Sequence, residues 1–121
     1  MSKKTVLIVD DSMTARLIIK SILEHIRPDW QLLQAGGVKE AIEMDAKHKI
    51  DFLITDYHMP ETTGLELIES LPKNTRERRI VLLTANIQPQ LVERAKSLNA
   101  LCLHKPVTED VIQKAVNYFD E

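Results

Sequence analysis

Five short strand-like runs alternate along this chain with five stretches of helical periodicity. The runs are Thr5–Val9, Gln31–Gln34, Phe52–Thr55, Ile80–Leu83 and Leu101–Leu103. Phe52-Leu53-Ile54-Thr55 is apolar without alternation, as expected of a strand covered on both faces. The first helix is predicted over Met13–Ile26, with Ser12 as its N-cap and Ala15, Ile18, Ile19, Ile22 and Ile26 on one stripe. Arg27-Pro28-Asp29 then ends it. Gly36-Gly37 leads into a second helix over Val38–Lys47, and a third over Leu65–Leu71 is closed by Pro72. The fourth starts at Pro89, presents Leu91, Val92, Ala95 and Leu98, and ends at Asn99 in a left-handed turn. The fifth runs from Thr108 to Phe119 with Val111, Ile112, Ala115, Val116 and Phe119 inward. Such alternation implies βαβ units, a parallel sheet and right-handed crossovers. The whole chain, residues 1–121, reads as one compact α/β domain.

The remaining charges stand at strand ends. Asp10-Asp11 follows Val6-Leu7-Ile8-Val9, Asp56 follows Phe52–Thr55, Thr84 ends the fourth run, and Lys105-Pro106 follows Ala100-Leu101-Cys102-Leu103. With parallel strands these residues converge at one edge, where open α/β sheets bind ligands. Two carboxylates ~5 Å apart at an effective dielectric of ~20 repel by about 3 kcal/mol. Three would force a pKa upward unless a cation neutralised them. Carboxylate oxygens with water select a hard ion, and a site that expects phosphate oxygens favours Mg²⁺. Helix capping alone is the other reading of Asp11. A hydroxyl at Thr84 and an ammonium at Lys105 beside a carboxylate meet the needs of phosphoryl transfer. Asp56, beyond the most apolar strand, is the natural acceptor, and an attacking carboxylate gives an acyl phosphate.

Composition narrows the picture further. At 121 residues with 44% hydrophobic and 28% charged content, the chain has the make-up of a soluble globular domain. A net charge of −2 gives no general attraction to nucleic acid or anionic membranes. No run approaches the ~20 residues of a membrane span or forms a signal peptide, so a cytoplasmic location is expected. The basic stretch Lys73–Arg79 reads as a solvated loop. Cys102, the single cysteine, reads as a small core residue and fits a reducing compartment. His25, His48 and His104 read as surface residues, and Trp30 as a cover for the sheet edge. Gly64 is expected to let the backbone turn into the third helix.

Four separated motifs, Val6-Leu7-Ile8-Val9-Asp10-Asp11-Ser12, Asp56-Tyr57-His58-Met59-Pro60 with Gly64, Thr84-Ala85 and Lys105-Pro106, occur in order. Together they resemble the receiver domain of two-component response regulators along the whole chain. The resemblance implies a flavodoxin-like, doubly wound sheet of order 2-1-3-4-5 with five helices. It implies that Asp56 accepts a phosphoryl group from a sensor histidine kinase or a histidine phosphotransfer protein. Asp11 and Asp56 would ligate Mg²⁺ directly, Asp10 largely through water, and the His58 carbonyl would complete the protein ligands. Thr84 and Lys105 would contact phosphoryl oxygens, with a cis bond between Lys105 and Pro106. The face of helix 4, strand 5 and helix 5 would carry output. The chain stops after helix 5, so a stand-alone switch acting through another protein, without direct nucleic-acid contact, is expected unless this is a piece of a longer regulator.

Cys102 departs from the family pattern, since an aromatic usually stands three residues before the lysine and changes rotamer on activation. Readout is then expected to rest on residues Thr84 to Asn86 and helix 4. His58 and Asn86, each two residues beyond a site residue, face the reaction centre in such domains and are expected to influence dephosphorylation. Three other functions fit these residues less well. A pseudo-receiver would lack part of the acid, threonine and lysine set. A small-molecule phosphohydrolase would need a second acid near Asp56, where Tyr57 and His58 stand. A flavin or nucleotide binder would need a glycine-rich phosphate loop after strand 1.

Overall fold

A computed structural model describes residues 3–71 and 78–121. Five strands form one parallel sheet: β1 (Thr5–Val9), β2 (Gln31–Ala35), β3 (Phe52–Asp56), β4 (Arg79–Thr84) and β5 (Ala100–His104). Their order across the sheet is β2-β1-β3-β4-β5, so β3 is central and β2 and β5 are edges. Helices α1 (Met13–Ile26), α2 (Val38–Lys47), α3 (Gly64–Ser70), α4 (Pro89–Ser97) and α5 (Glu109–Asp120) connect and follow them. A two-stranded antiparallel hairpin, His58–Met59 with Thr62–Thr63, sits between β3 and α3. The doubly wound α/β fold with order 2-1-3-4-5 is therefore present. The Pro72 helix stop and most of the basic stretch from Lys73 lie outside the described residues.

Alternation along the strands divides the core into two layers. Leu7, Val9, Leu53 and Leu82 face Ala41 of α2, Leu65 and Leu67 of α3, and Leu91 and Ala95 of α4. Val6, Ile8, Ile54, Val81 and Leu83 face Ile19 and Leu23 of α1 and Ile112, Ala115 and Val116 of α5. A strand buried on both faces needs an uninterrupted apolar run, and β1 and β3 are buried at every position. Caps mark the helix starts: Ser12, Thr63 and Thr108 hydroxyls accept backbone N–H groups of Ala15, Glu66 and Val111. Asn99, the residue after α4's last turn, has φ 62, the left-handed conformation that asparagine tolerates better than most residues.

The structure corrects four expectations. Ile18 is 46% exposed, while Leu23, absent from the expected stripe, is fully buried. The buried face of α1 is centred on Ile19 and Leu23, so Met13, Leu17 and Ile18 lie outward. Trp30 packs inward on Phe52 at 5.2 Å and Phe119 at 6.5 Å between ring centroids, closing the N-terminal end of the α1/α5 layer and not the sheet edge. Arg78 is no solvated loop residue: Nη1 pairs with Asp45 Oδ1 at 2.7 Å, with side-chain exposures of 10% and 4%. Gly64 has no positive φ. Its need is space, because an added Cβ would stand 2.5 Å from Leu82 Cδ1 and 2.6 Å from the Asp56 carbonyl oxygen.

Candidate functional site

Register brings the acids together. Val9 pairs with Thr55 across β1 and β3, so Asp10 and Asp56 leave adjacent strands at the same height. Neighbouring strands are ~4.8 Å apart, which sets the spacing of side chains at such positions. One carboxylate oxygen each from Asp10, Asp11 and Asp56 lies within 4.8 Å of the others. Asp10 and Asp56 are buried and Asp11 is exposed, so the cluster opens to solvent on the Asp11 side.

Strands β4 and β5 supply the other two groups. Leu83 pairs with Asp56, and Thr84 follows it at the strand end, fully buried. Its hydroxyl oxygen accepts the Asn86 N–H at 3.2 Å. The Lys105 N–H donates to the Thr84 carbonyl at 2.9 Å, and the Lys105-Pro106 bond is cis. Lys105 Nζ reaches Asp56 Oδ1 at 2.8 Å. The five residues singled out in the sequence thus meet at one edge of the sheet.

Charge in this corner does not balance. Lys105 pairs with one of the three carboxylates, while the Arg16 guanidinium bonds the backbone of Asp10, so negative charge remains in excess. Asp10 shows the consequence. Burial pushes its carboxyl above the usual range, the Asp56 and Asp11 charges push the same way, and the Ser12 N–H and Lys105 pull back. Asp10 Oδ1 accepts that Ser12 N–H at 2.9 Å, whereas Oδ2 is buried with no partner among the described residues. A buried acceptor left unsatisfied costs ~1–3 kcal/mol. A hard divalent cation would meet the orphaned oxygen and the excess negative charge together, so this all-oxygen pocket fits Mg²⁺.

The flanking residues fall around this corner. His58 is exposed in the hairpin, its ring edge-on to Tyr57 at 4.8 Å. Asn86 is exposed beside Thr84. Cys102 is half-buried, packed against the layer that contains α4, and burial raises its thiol pKa. His25, His48 and His104 are exposed.

Sequence reasoning passed over Arg16, whose guanidinium reaches the backbone of Asp10. The available signal was a cation one helical turn from Ile19 on the buried stripe of α1. Among the described residues no helix is long and apolar enough to cross a membrane.

Comparison with known proteins agrees with this geometry. The family model for the response regulator receiver domain matches residues 6–117. The sensor protein EvgS of Escherichia coli O157:H7 is 39% identical over 114 residues, covering 92% of this chain and 9% of that protein. The chain therefore spans a small part of that relative's length. Chemotaxis protein CheY1 of Helicobacter pylori (strain ATCC 700392 / 26695) is 32% identical over 111 residues, covering 89% of this chain and 90% of CheY1. The solved structure of chemotaxis response regulator CheY4 of Vibrio cholerae superimposes with a TM-score of 0.84 at 25% identity, covering 98% and 99% of the two chains. By the matched family model and the shared fold, this chain belongs to the response regulator receiver domains, signalling switches of two-component systems.

Proposed function

We propose that the chain is a single receiver domain that takes a phosphoryl group on Asp56 in a Mg²⁺-dependent reaction. The observation that carries this reading is the Lys105–Asp56 pair set inside a three-carboxylate pocket. The donor is a sensor histidine kinase or a histidine phosphotransfer protein. An Asp56 oxygen attacks phosphorus, the P–N bond to the donor imidazole breaks, and its electron pair leaves with the imidazole. Lys105 shifts its ammonium from Asp56 to a phosphoryl oxygen. The Thr84 hydroxyl accepts the Asn86 N–H and donates its own proton to the Asn86 carbonyl at 3.5 Å, a long bond it exchanges for one to a phosphoryl oxygen. Asp11 and Asp56, with Asp10 and the His58 carbonyl, would hold the ion. Bound there, Mg²⁺ would supply positive charge against the phosphoryl oxygens.

The new acyl phosphate brings roughly two negative charges, and Thr84 moves to meet them. The loop from Thr84 to Asn86 and the α4–β5–α5 face pass that movement to a protein partner. Cys102, half-buried where the family usually has an aromatic, leaves this loop as the main route.

Incubation with a small phosphodonor and Mg²⁺, followed by intact-mass measurement, tests the reading. Wild type is expected to gain one phosphoryl group and Asp56→Asn none. A gain on both proteins would move the acceptor elsewhere. Substituting the exposed neighbours addresses the reverse step. His58→Ala or Asn86→Ala is expected to change the lifetime of the acyl phosphate severalfold without preventing its formation, since each residue stands exposed two positions beyond a site residue. Identical decay rates for all three proteins would remove these residues from the mechanism.

A further inference from the structure

Asp10 is held at three points. Its N–H donates to the Ala35 carbonyl at 3.2 Å, extending the β1–β2 pairing. Its Oδ1 accepts from Ser12, and its carbonyl accepts from Arg16 Nη1 at 2.7 Å. Arg16 comes from the first turns of α1, and its Nε donates to Gln34 Oε1 at 3.0 Å. Gln34 stands on β2, in register with Ile8 of β1. One guanidinium thereby joins the start of α1, the end of β1 and the edge strand.

The local fold explains why such a donor is needed. β1 ends at Val9, and the chain leaves the sheet through Asp10 to enter α1 at Met13. A carbonyl at that departure point has no following ladder donor, and leaving it bare would cost ~1–3 kcal/mol. Arg16 provides a charge-assisted hydrogen bond there. The peptide held in this way is the one that joins Asp10 to Asp11. Its plane decides where both carboxylates point.

We infer that Arg16, oriented by Gln34, is a positioning residue of the carboxylate pocket, clamping the Asp10–Asp11 peptide so that both acids meet a divalent cation in the binding geometry. The inference rests on the metal reading proposed above. Its sign sets it apart from simple electrostatics. A guanidinium close to a cation site repels the cation, so on charge alone its removal would tighten binding. Loss of positioning does the opposite, and outer partners of metal ligands typically matter by about 10- to 100-fold in affinity.

Calorimetric titration with MgCl₂ as the only ligand separates the two, using wild type, Arg16→Met, Arg16→Lys and Gln34→Leu after circular dichroism has checked each fold. Arg16→Met is expected to raise the magnesium Kd about tenfold. Arg16→Lys, which can still donate to the Asp10 carbonyl, should recover much of that loss, and Gln34→Leu should fall in between. Unchanged or tighter binding by folded Arg16→Met overturns the inference, as does a lysine variant no better than the methionine one. Should Arg16→Met fail to fold, Gln34→Leu decides: weaker binding supports the clamp and equal binding refutes it. A wild type that binds no magnesium defeats the metal reading itself, and the clamp with it.

Discussion

Asp10→Asn is expected to gain stability without metal and to lose most of its response to magnesium. The asparagine keeps the size of the side chain and an oxygen for the Ser12 N–H, which Asp10 Oδ1 now accepts at 2.9 Å. In place of the orphaned Oδ2 it offers an NH₂ donor toward two carboxylates. Relief of repulsion, partly offset by the loss of attraction to Lys105, should stabilise the metal-free protein by on the order of 1 kcal/mol. The pH dependence follows from the raised carboxyl, whose largest cause is burial. The folded state holds the Asp10 proton to higher pH than the unfolded chain does. Metal-free stability therefore falls as pH rises from the unfolded pKa through the folded one. Asparagine removes that fall, so the gap between variant and wild type should widen as pH rises above the unfolded carboxyl value of about 4. With magnesium the order reverses, because the variant lacks one of the charges that draw the ion, and its affinity should drop about tenfold or more. Urea denaturation with and without MgCl₂ reads both effects. Equal magnesium stabilisation of the two proteins would show that Asp10 takes no part in holding the ion.

Gly64→Ala is expected to destabilise the fold by ~1–3 kcal/mol, the range seen when a packed interior is overfilled. Helix propensity alone points the other way, since alanine inside a helix is favoured over glycine by ~1 kcal/mol. The decisive contacts are the 2.5 Å to Leu82 Cδ1 and 2.6 Å to the Asp56 carbonyl oxygen that the new Cβ would make. The leucine methyl could swing aside. The carbonyl belongs to the central strand and could not move without moving Asp56 with it. The Gly64 N–H also donates to the Tyr57 carbonyl at 2.7 Å, tying the start of α3 to the loop beside Asp56. A shift to relieve the clash would therefore reach the acceptor, and phosphorylation should slow with the loss of stability. Thermal unfolding checks the first effect. A variant as stable as wild type would mean that α3 can slide away from β3 without cost.

Much of this architecture was legible in the chain because its signals are local. The unbroken apolar run at β1, the serine before α1, the glycine pair before α2 and the asparagine after α4 each act within a few residues, and the observed bounds agree. The edge cluster was legible for a related reason. Parallel strands send all their C-terminal ends one way, so charges following apolar runs had to converge. The misses involve partners distant in sequence. The exception is α1, where Ile19, Ile22, Leu23 and Ile26 keep helical spacing and leave Ile18 outside the buried face. Arg78 finds Asp45 across 33 residues, and Arg16 finds Gln34 across 18. Gly64 is explained only by the approach of β3 and β4. No pattern within a single element names the distant partner of Arg78, Arg16 or Gly64.

The central claim is that this corner of the sheet is completed by a divalent ion and a phosphoryl group on Asp56. A crystal structure grown with Mg²⁺ and beryllofluoride, a phosphoryl mimic, tests it most directly. The expected result is a cation about 2.1 Å from oxygens of Asp11 and Asp56, beryllium bonded to Asp56, and Lys105 and Thr84 turned onto the fluorides. A pocket with neither ion nor beryllium, and with Lys105 still paired to a bare Asp56, would contradict the account.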